Sequence, residues 1–307
     1  MSRFLPSFGQ WSLGASALRS AEYPSVVGLN AYGAAWMAHN ANGATHWRYV
    51  PWLGATPAQA LVLLHSHLAP AALSRTALVL APSMVRHWLQ TPPAQVASLN
   101  ELRTVAAARC SQLFGASSSN QSLASGWSVS ANWHASQAFV CAGVPAVWID
   151  ALEPKYPKMQ AGHELVAHLL RQNQSQIPRS GWLALVVAHT LYLLRIERGN
   201  TIGLRTVRMP TPESAEQMQQ TVMDEWARET LRTQAPASRL HWLCPPPEVA
   251  ALKHPTSLQM LPYAPANKMA LPPALHDEIT KGVAFEHVQE AQLTAWCAQQ
   301  SALGGKQ

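Results

Sequence analysis

A strand–turn–strand pattern occurs twice in this chain, about half a chain apart, and it constrains the fold more than any other feature. The first copy spans residues 25–51 and the second spans 182–210. Each copy joins apolar, strand-like runs through a turn dipeptide, Asn42-Gly43 in the first and Gly199-Asn200 in the second. Such dipeptides supply the positive φ angles that two-residue hairpin turns require. We therefore predict two related lobes, each opened by a β-hairpin.

The same order of elements follows each hairpin. Thr56-Pro57 and Thr211-Pro212 each offer a helix N-cap followed by a proline at the first helical position. A short apolar strand comes next in both halves, within 75–93 and 238–247. Residue identity between the halves is low, so the repeat is one of topology. The predicted division is an irregular lead-in over 1–22, a first lobe over 23–155 and a second lobe over 156–307.

The first lobe carries further local signals. Residues 75–93 are typical of two strands separated by a turn at Pro82-Ser83. Ser98 and Glu101 form an S-x-x-E capping box, and Gly115 is a natural helix end, which predicts a helix between them. Residues 126–145 alternate and then become apolar, which predicts two more strands.

Composition narrows the class of protein. The chain has 307 residues, of which 48% are hydrophobic and only 12% are charged, against about 25% in an average domain. We infer an ordered protein whose surface is partly covered by a partner. The net charge of +6 is spread thinly, without a block of basic residues, which argues against nucleic-acid binding. No stretch reaches the ~18 apolar residues of a membrane helix, and the expectation is a soluble cytoplasmic chain.

No catalytic or metal motif is found. His163 and His168 are five residues apart, which turns the second imidazole away from the first on a helix, so a zinc site is not predicted. The serine-rich stretch 116–125 lacks G-x-S-x-G, and no P-loop or G-x-G-x-x-G is present. The four cysteines lack C-x-x-C spacing and are expected to be reduced and mostly buried. The twelve tryptophans are expected to pack in the core and between the lobes, with a partner-binding groove as the alternative.

Four segments carry a resemblance to a known family: "ALVLAPSMVRHWLQTPP", "LNELRTVAAARCSQLFG", "WSVSANWHASQAFVCAGVPAVWIDAL" and "GWLALVVAHTLYLLRIERGN". In this order, over about 24–245, the chain resembles the cytoplasmic actin-like proteins of type IV pilus and type II secretion platforms, of the PilM and GspL type. The resemblance implies an α/β, two-lobed actin-like (RNase H-like) fold. Each lobe would be opened by a β-hairpin and would combine a mixed sheet with flanking helices.

Active members of the actin-like superfamily bind ATP between the lobes, at hairpin turns that carry a glycine and a metal-orienting aspartate. Here Asn30 stands where the first acidic residue is expected, and Gly33 follows it. The matching turn of the second lobe, within "LALVVAHTLYLL", has neither Asp nor Gly. Asparagine can hydrogen-bond, but it brings no negative charge to Mg²⁺. The resemblance therefore implies a degenerate phosphate turn at Asn30 and Gly33, with no metal ligand and no catalytic residue.

The resulting hypothesis is a non-catalytic cytoplasmic adaptor of a type IV pilus or type II secretion-like inner-membrane platform. It would bind a segment of a membrane partner protein and associate peripherally with the membrane through that partner. An actin-like ATPase with a divergent ATP site is the alternative, and a hydrolase with a spatially assembled site is the second alternative. Self-association into a homo-oligomer stays open.

Overall fold

The structure is a computed structural model of the 307-residue chain. It describes residues 26–39, 45–52, 54–68, 77–96, 98–115, 126–131, 133–152, 166, 169–170, 173–187, 189–210, 214–235, 238–243, 245, 247–261 and 290–295. The predicted lead-in over 1–22, the Asn42-Gly43 turn and the His163–His168 pair lie outside these residues.

Four strands form the first sheet, in the order β3-β2-β1-β4. They are β1 (Val26–Leu29), β2 (Gly33–His39), β3 (Thr45–Pro51) and β4 (Ala77–Leu80). The first three strands run antiparallel, whereas β4 lies parallel to β1. Helix α1 (Pro57–His67) connects β3 to β4 and supplies buried Ala60, Leu61 and Leu64 to the core. A parallel pair needs such a crossover connection.

Five strands further along the chain form a sheet of related topology. They are β8 (Gly181–Val187), β9 (Thr190–Glu197), β10 (Asn200–Arg208), β11 (Leu240–Leu243) and β12 (Leu258–Leu261). Their order is β10-β9-β8-β11-β12, with three antiparallel strands followed by parallel β11 and β12. Helix α4 (Ala215–Thr233) connects β10 to β11, as α1 connects β3 to β4. The predicted α/β fold, with mixed sheets opened by hairpins and flanked by helices, is confirmed.

A third sheet is inserted after β4. It contains β5 (Arg86–Gln90), β6 (Trp127–Ala131) and β7 (Phe139–Pro145), in the order β5-β7-β6. Helix α2 (Leu99–Phe114) precedes β6, and helix α3 (Ala146–Leu152) follows β7. Strands β5 and β7 also contact β10, so this sheet meets the second half of the chain. The strands predicted in 75–93 and 126–145 are confirmed.

Local capping signals account for where the helices begin. Thr56 accepts a hydrogen bond from Gln59 N while the Gln59 side chain accepts from Thr56 N, a complete capping box at the start of α1. Ser98 caps α2 by accepting from Glu101 N, and α2 ends at Gly115, whose φ is +78°. These predicted caps are confirmed, because each depends on residues within four positions of one another.

Two local predictions in the second half were wrong. The turn between β9 and β10 is formed by Arg198 and Gly199, both with positive φ, and Asn200 already pairs with Glu197. Positive φ at both central residues is what a type I′ turn needs, and Arg198 adopts it at the first central position, where Gly199 was predicted. Helix α4 begins after Ser214, which accepts from Gln217 N. The predicted cap Thr211-Pro212 lies outside the described residues, and the N-cap of α4 is Ser214, which offers the same chemistry three residues further on.

The two large sheets share a hydrophobic core. Val26 of β1 and Val79 of β4 belong to the same buried cluster as Leu183, Leu185 and Leu194 of the second sheet. Several tryptophans are core residues, as predicted: Trp36, Trp52, Trp88, Trp182 and Trp242 are at most 5% exposed. One buried cluster therefore joins the two large sheets.

Cys110 and Cys141 are free and fully buried thiols within one apolar cluster. Burial raises the pKa of both thiols to about 12, the neighbouring thiol adding to the effect at Cys141. Both are therefore reduced, protonated core residues, as predicted for them from the sequence.

A helical stretch at 290–295 packs on the first sheet. Its Ala291 and Ala295 contact Ala35, Tyr49, Met37 and Trp47 of β2 and β3. It also crosses β1 at Gly28, where an added Cβ would lie 2.2 Å from the Ala291 carbonyl oxygen. Residues 290–295 thus contribute to the packing of the first sheet. The proposed division at residue 155 stays a prediction.

Candidate functional site

The turn that joins β1 to β2 is organised by Asn30. Its side chain is fully buried, and its Oδ1 accepts hydrogen bonds from the backbone N–H groups of Tyr32 and Gly33, both at 2.9 Å. Asn30 N donates to the Gly33 carbonyl at 3.0 Å. Asparagine favours such turns because its side-chain oxygen reaches backbone groups two and three residues on. The two residues predicted for this site are therefore brought together, and the amide oxygen accepts from two backbone N–H groups of the turn.

Position 33 has no room for a side chain because the aromatic ring of Tyr49 lies against it. A Cβ at this position would lie 2.2 Å from the Tyr49 hydroxyl oxygen and 2.3 Å from its ring carbon Cζ. Gly33 pairs with Pro51 on the edge strand β3, two residues from Tyr49. The absence of a side chain here makes room for Tyr49, which gives this glycine a packing role at the turn.

A carboxylate from the far end of the chain completes the site. Glu290 Oε1 accepts from Ser83 N at 3.0 Å, and Oε2 accepts from Ser83 Oγ at 2.8 Å. The Asn30 side-chain nitrogen donates to Oε2 at 3.3 Å. Ser83 lies in the 3₁₀ turn Pro82–Met84, directly after β4. Because Glu290 is only 7% exposed, its charge is stabilised by these three donors instead of by water.

The hydroxyl of Tyr49 is the remaining polar group. It is buried, and it has no hydrogen-bond partner among the described residues. Burial raises the pKa of this phenol far above its usual range, and the negative charge of Glu290 raises it further. Tyr49 is therefore a neutral donor held beside the Gly33 end of the turn.

As it stands, this arrangement does not fit a nucleotide phosphate. Tyr32 N–H and Gly33 N–H already donate to Asn30, and the donors on Ser83 already donate to Glu290. An incoming phosphate would also meet the negative Glu290 carboxylate, without a second carboxylate to hold Mg²⁺ at the described turn. In the structure, the Glu290 carboxylate itself occupies the donors of Ser83 and Asn30.

The corresponding turn of the second half contributes no such group. Strands β8 and β9 pair as far as Val187 and Thr190, which leaves a two-residue connection that contains His189. The His189 carbonyl accepts from Met209 N at 2.7 Å. Within the described ranges, no group of three His, Cys, Asp or Glu side chains could hold a metal ion. The same ranges contain no helix that is long and apolar enough to span a membrane.

Sequence reasoning missed Ser83, Tyr49 and Glu290 as members of this site. Glu290 lies 207 positions from Ser83 and 260 from Asn30, so no local motif links them. One signal was available in the spacing of Ala291 and Ala295. Small residues four positions apart on a helix permit close approach to a strand glycine such as Gly28.

Comparisons with known proteins give structural neighbours only. No protein-family model matches the chain, and no curated protein matches it. Among solved structures, the chain is similar to a Bacteroides thetaiotaomicron protein with an actin-like ATPase fold and unknown function. The TM-score is 0.44 and the identity 11%, over 74% of this chain and 83% of that one.

Two further neighbours belong to secretion and pilus systems. A type IV pilus biogenesis complex, PilM-PilN, matches with a TM-score of 0.45 and 10% identity, over 89% of this chain and 98% of that one. The cytoplasmic domain of EpsL, an inner-membrane component of the Vibrio cholerae type II secretion system, matches with a TM-score of 0.40 and 13% identity. That match covers 87% of this chain and 93% of the other. These neighbours include the pilus and type II secretion proteins that the sequence resembles. The description of the fold depends on the strand order given above.

Proposed function

We propose that this chain is a non-catalytic actin-like adaptor of a pilus or secretion-type inner-membrane platform, and that it binds a segment of a membrane partner at the cytoplasmic face. The observation that carries the proposal is the occupied turn between β1 and β2. Two backbone donors of this turn, Tyr32 N–H and Gly33 N–H, are used by Asn30, and the neighbouring donors are used by Glu290. The choice of platform depends on the sequence segments that resemble the PilM and GspL type.

Phosphoryl transfer would need features that this turn does not offer. Catalysis of that reaction depends on free backbone donors around the phosphates and on a metal ion held by negatively charged ligands. Asn30 is neutral, and its oxygen is committed to two N–H groups. Glu290 is charged, but both of its oxygens accept from Ser83. This arrangement favours a structural role for the turn over hydrolysis.

A role in protein–protein interaction fits the described surface. Helix α1 exposes 60% of Val62 and 39% of Leu63, and helix α2 exposes 45% of Leu113 and 37% of Phe114. Exposed apolar side chains that lie close together are typical of partner-binding surfaces. With only 12% charged residues in the whole chain, the surface is also less charged than that of an average domain.

Mg-ATP is expected not to bind to the purified chain. Titration calorimetry should give no binding heat up to millimolar nucleotide, because the donors at the turn are already satisfied. Mg²⁺ with AMP-PNP, a nucleotide that resists hydrolysis, serves as a second ligand and removes any heat of hydrolysis. Micromolar binding of either ligand would contradict the proposal and would favour the divergent ATPase.

The full-length chain is expected to sediment with inner membranes when it is tagged in the cells that produce it. The physical reason is that the partner, and not the chain, would cross the bilayer. Cross-linking in those membranes should then yield one predominant adduct with a membrane protein. Recovery of the chain only as a free monomer in the soluble fraction would rule out the adaptor role.

A further inference from the structure

Four arginines from separate parts of the chain meet at one end of the second sheet, where β8, β11 and β12 begin and where β9 turns into β10. We call this set the basic end, and it comprises Arg179, Arg195, Arg198 and Arg239. Backbone contacts hold it together. Gly199 N, in the same turn as Arg198, donates to Arg179 O at 2.7 Å. Trp182 N donates to Arg239 O at 3.3 Å. The fold thus gathers cations that the sequence keeps apart.

The charges of the basic end are not neutralised by carboxylates of the described residues. Elsewhere in this half, the arginines bind the two buried carboxylates of α4: Arg205, Arg228 and Arg232 with Glu225 and Glu229. Glu197, next to Arg198, leaves the basic end and itself with a formal charge of +3, half of the net +6 of the chain. Burial lowers the pKa of the neighbouring His241, and the charge of Arg239 lowers it further. One end of the sheet therefore carries a concentrated positive charge.

Three of the four arginines form an exposed row across the end of the sheet. Arg198 lies in the turn between β9 and β10, Arg179 precedes β8, and Arg239 precedes β11. In the strand order β10-β9-β8-β11 these positions follow one another, so the row spans about 10 to 15 Å at the usual strand spacing. Arg195 lies further in, where it pairs with Trp182. Such a row presents its charges to an extended anionic surface, and not to a single anion.

Exposed apolar side chains accompany the row. Ile202, which is 37% exposed, follows the turn on β10, and Leu231, which is 79% exposed, lies in the last turn of α4. The connection from α4 to β11 then leads directly to Arg239. Cations beside exposed apolar side chains are typical of surfaces that lie on a bilayer. A nucleic-acid surface would add exposed aromatic rings, whereas Trp182 beside the row is only 2% exposed.

We propose that the basic end binds directly to a bilayer surface that contains anionic phospholipids. The guanidinium groups donate to lipid phosphates, for which their planar fork is well suited, while Ile202 and Leu231 lie at the level of the headgroups. The end of the second sheet where β8, β11 and β12 begin then faces the membrane. This goes beyond the adaptor role, in which a membrane partner holds the chain at the bilayer. Vesicles free of protein test the lipid contact separately from the binding of a partner.

The test is flotation of the purified full chain with vesicles of phosphatidylglycerol and phosphatidylcholine in equal parts, and with vesicles of phosphatidylcholine alone. At low salt, wild type should bind the anionic vesicles at least about tenfold more tightly than the neutral ones. Added salt should release it, because ions screen the exposed charges. The variant Arg179→Gln/Arg198→Gln/Arg239→Gln should bind about a hundredfold more weakly, since each cation near the surface contributes about fivefold.

A charge-matched control separates the basic end from the net charge of the chain. Arg103→Gln/Arg109→Gln/Arg208→Gln removes the same charge from exposed positions on α2 and at the other end of β10, and it should bind nearly as wild type does. Equal losses in the two triple variants would overturn the inference. Circular dichroism checks that both variants fold. If the first does not, Arg179→Gln/Arg239→Gln replaces it, with an expected loss of about 25-fold.

The vesicle experiment on wild type also decides between lipid and an acidic protein. Equal binding to anionic and neutral vesicles, or no binding to anionic vesicles at low salt, would overturn the inference. Polyglutamate serves as a model of an acidic protein segment. Binding of polyglutamate without binding of anionic vesicles would assign the basic end to a protein partner and would overturn the lipid contact.

Discussion

Replacing Gly28 with alanine is expected to lower the free energy of unfolding by about 3 kcal/mol, the upper end of the usual cost of overpacking. The added Cβ would lie 2.2 Å from Ala291 O and 2.6 Å from Ala295 N. Both are backbone atoms of the stretch 290–295, so a change of rotamer cannot relieve the overlap. The stretch has to move away from β1, and the hydrogen bonds of Glu290 weaken with it.

Gly126→Ala is the matched control for this change. A Cβ at Gly126 meets no atom within 4 Å, and its φ lies outside the left-handed region. The control should therefore be neutral or slightly stabilising, because alanine reduces the freedom of the unfolded chain. Urea unfolding followed by tryptophan fluorescence measures both variants. Equal midpoints for Gly28→Ala and Gly126→Ala would mean that 290–295 does not pack on β1 in solution.

Replacing Arg205 with methionine is expected to cost about 2 to 3 kcal/mol of unfolding free energy. Arg205 lies on β10, with its guanidinium 3.4 Å from Glu225 Oε2 and 3.7 Å from Glu229 Oε2. The two carboxylates belong to α4, and their side chains are only 10% and 5% exposed. Methionine keeps much of the side-chain volume but removes the cation that lies between the two buried carboxylates, which then keep only Arg228 and Arg232, one each, on their own helix.

Arg228→Met tests whether the burial of the pair decides this cost. Arg228 also binds Glu225, but its own side chain is 68% exposed, so its loss should cost less than about 1 kcal/mol. Arg205→Lys should be intermediate, because it keeps the charge and loses the fork geometry. Thermal unfolding of the three variants in one buffer provides the comparison. If Arg228→Met were as destabilising as Arg205→Met, the lower exposure of the Arg205 side chain, 38% against 68% for Arg228, would not be the cause.

Much of the fold could be predicted because its signals are local. Thr56, Ser98 and Gly115 each mark a helix end through contacts within a few residues. One turn prediction was wrong by a single position: Gly199 and Asn200 were predicted as the turn residues, and the structure has Arg198 and Gly199. Positive φ is tolerated by more residue types than glycine and asparagine when the strands on either side already pair. Turn boundaries are therefore less certain than the hairpins that contain them.

In the candidate site, too, local contacts could be predicted from the sequence and long-range contacts could not. That Asn30 and Gly33 lie together could be predicted, because a short turn brings them together whatever the rest of the chain does, whereas the phosphate turn assigned to them stays a prediction. Their function in the turn could not be predicted, since it depends on Tyr49 above Gly33 and on Glu290 beside Asn30.

By itself, the sequence determined the α/β class, the hairpins β2–β3 and β9–β10 and the caps of α1 and α2, because hydrogen bonds and side-chain alternation over a few residues specify them. Only the tertiary structure decided that 290–295 returns to the first sheet and that its carboxylate fills the donors of Ser83 and Asn30. Contacts across more than 200 positions depend on shape and on buried charge. Gly28 leaves the space in which the backbone of 290–295 can lie, and the buried Glu290 carboxylate needs hydrogen-bond donors because water does not reach it.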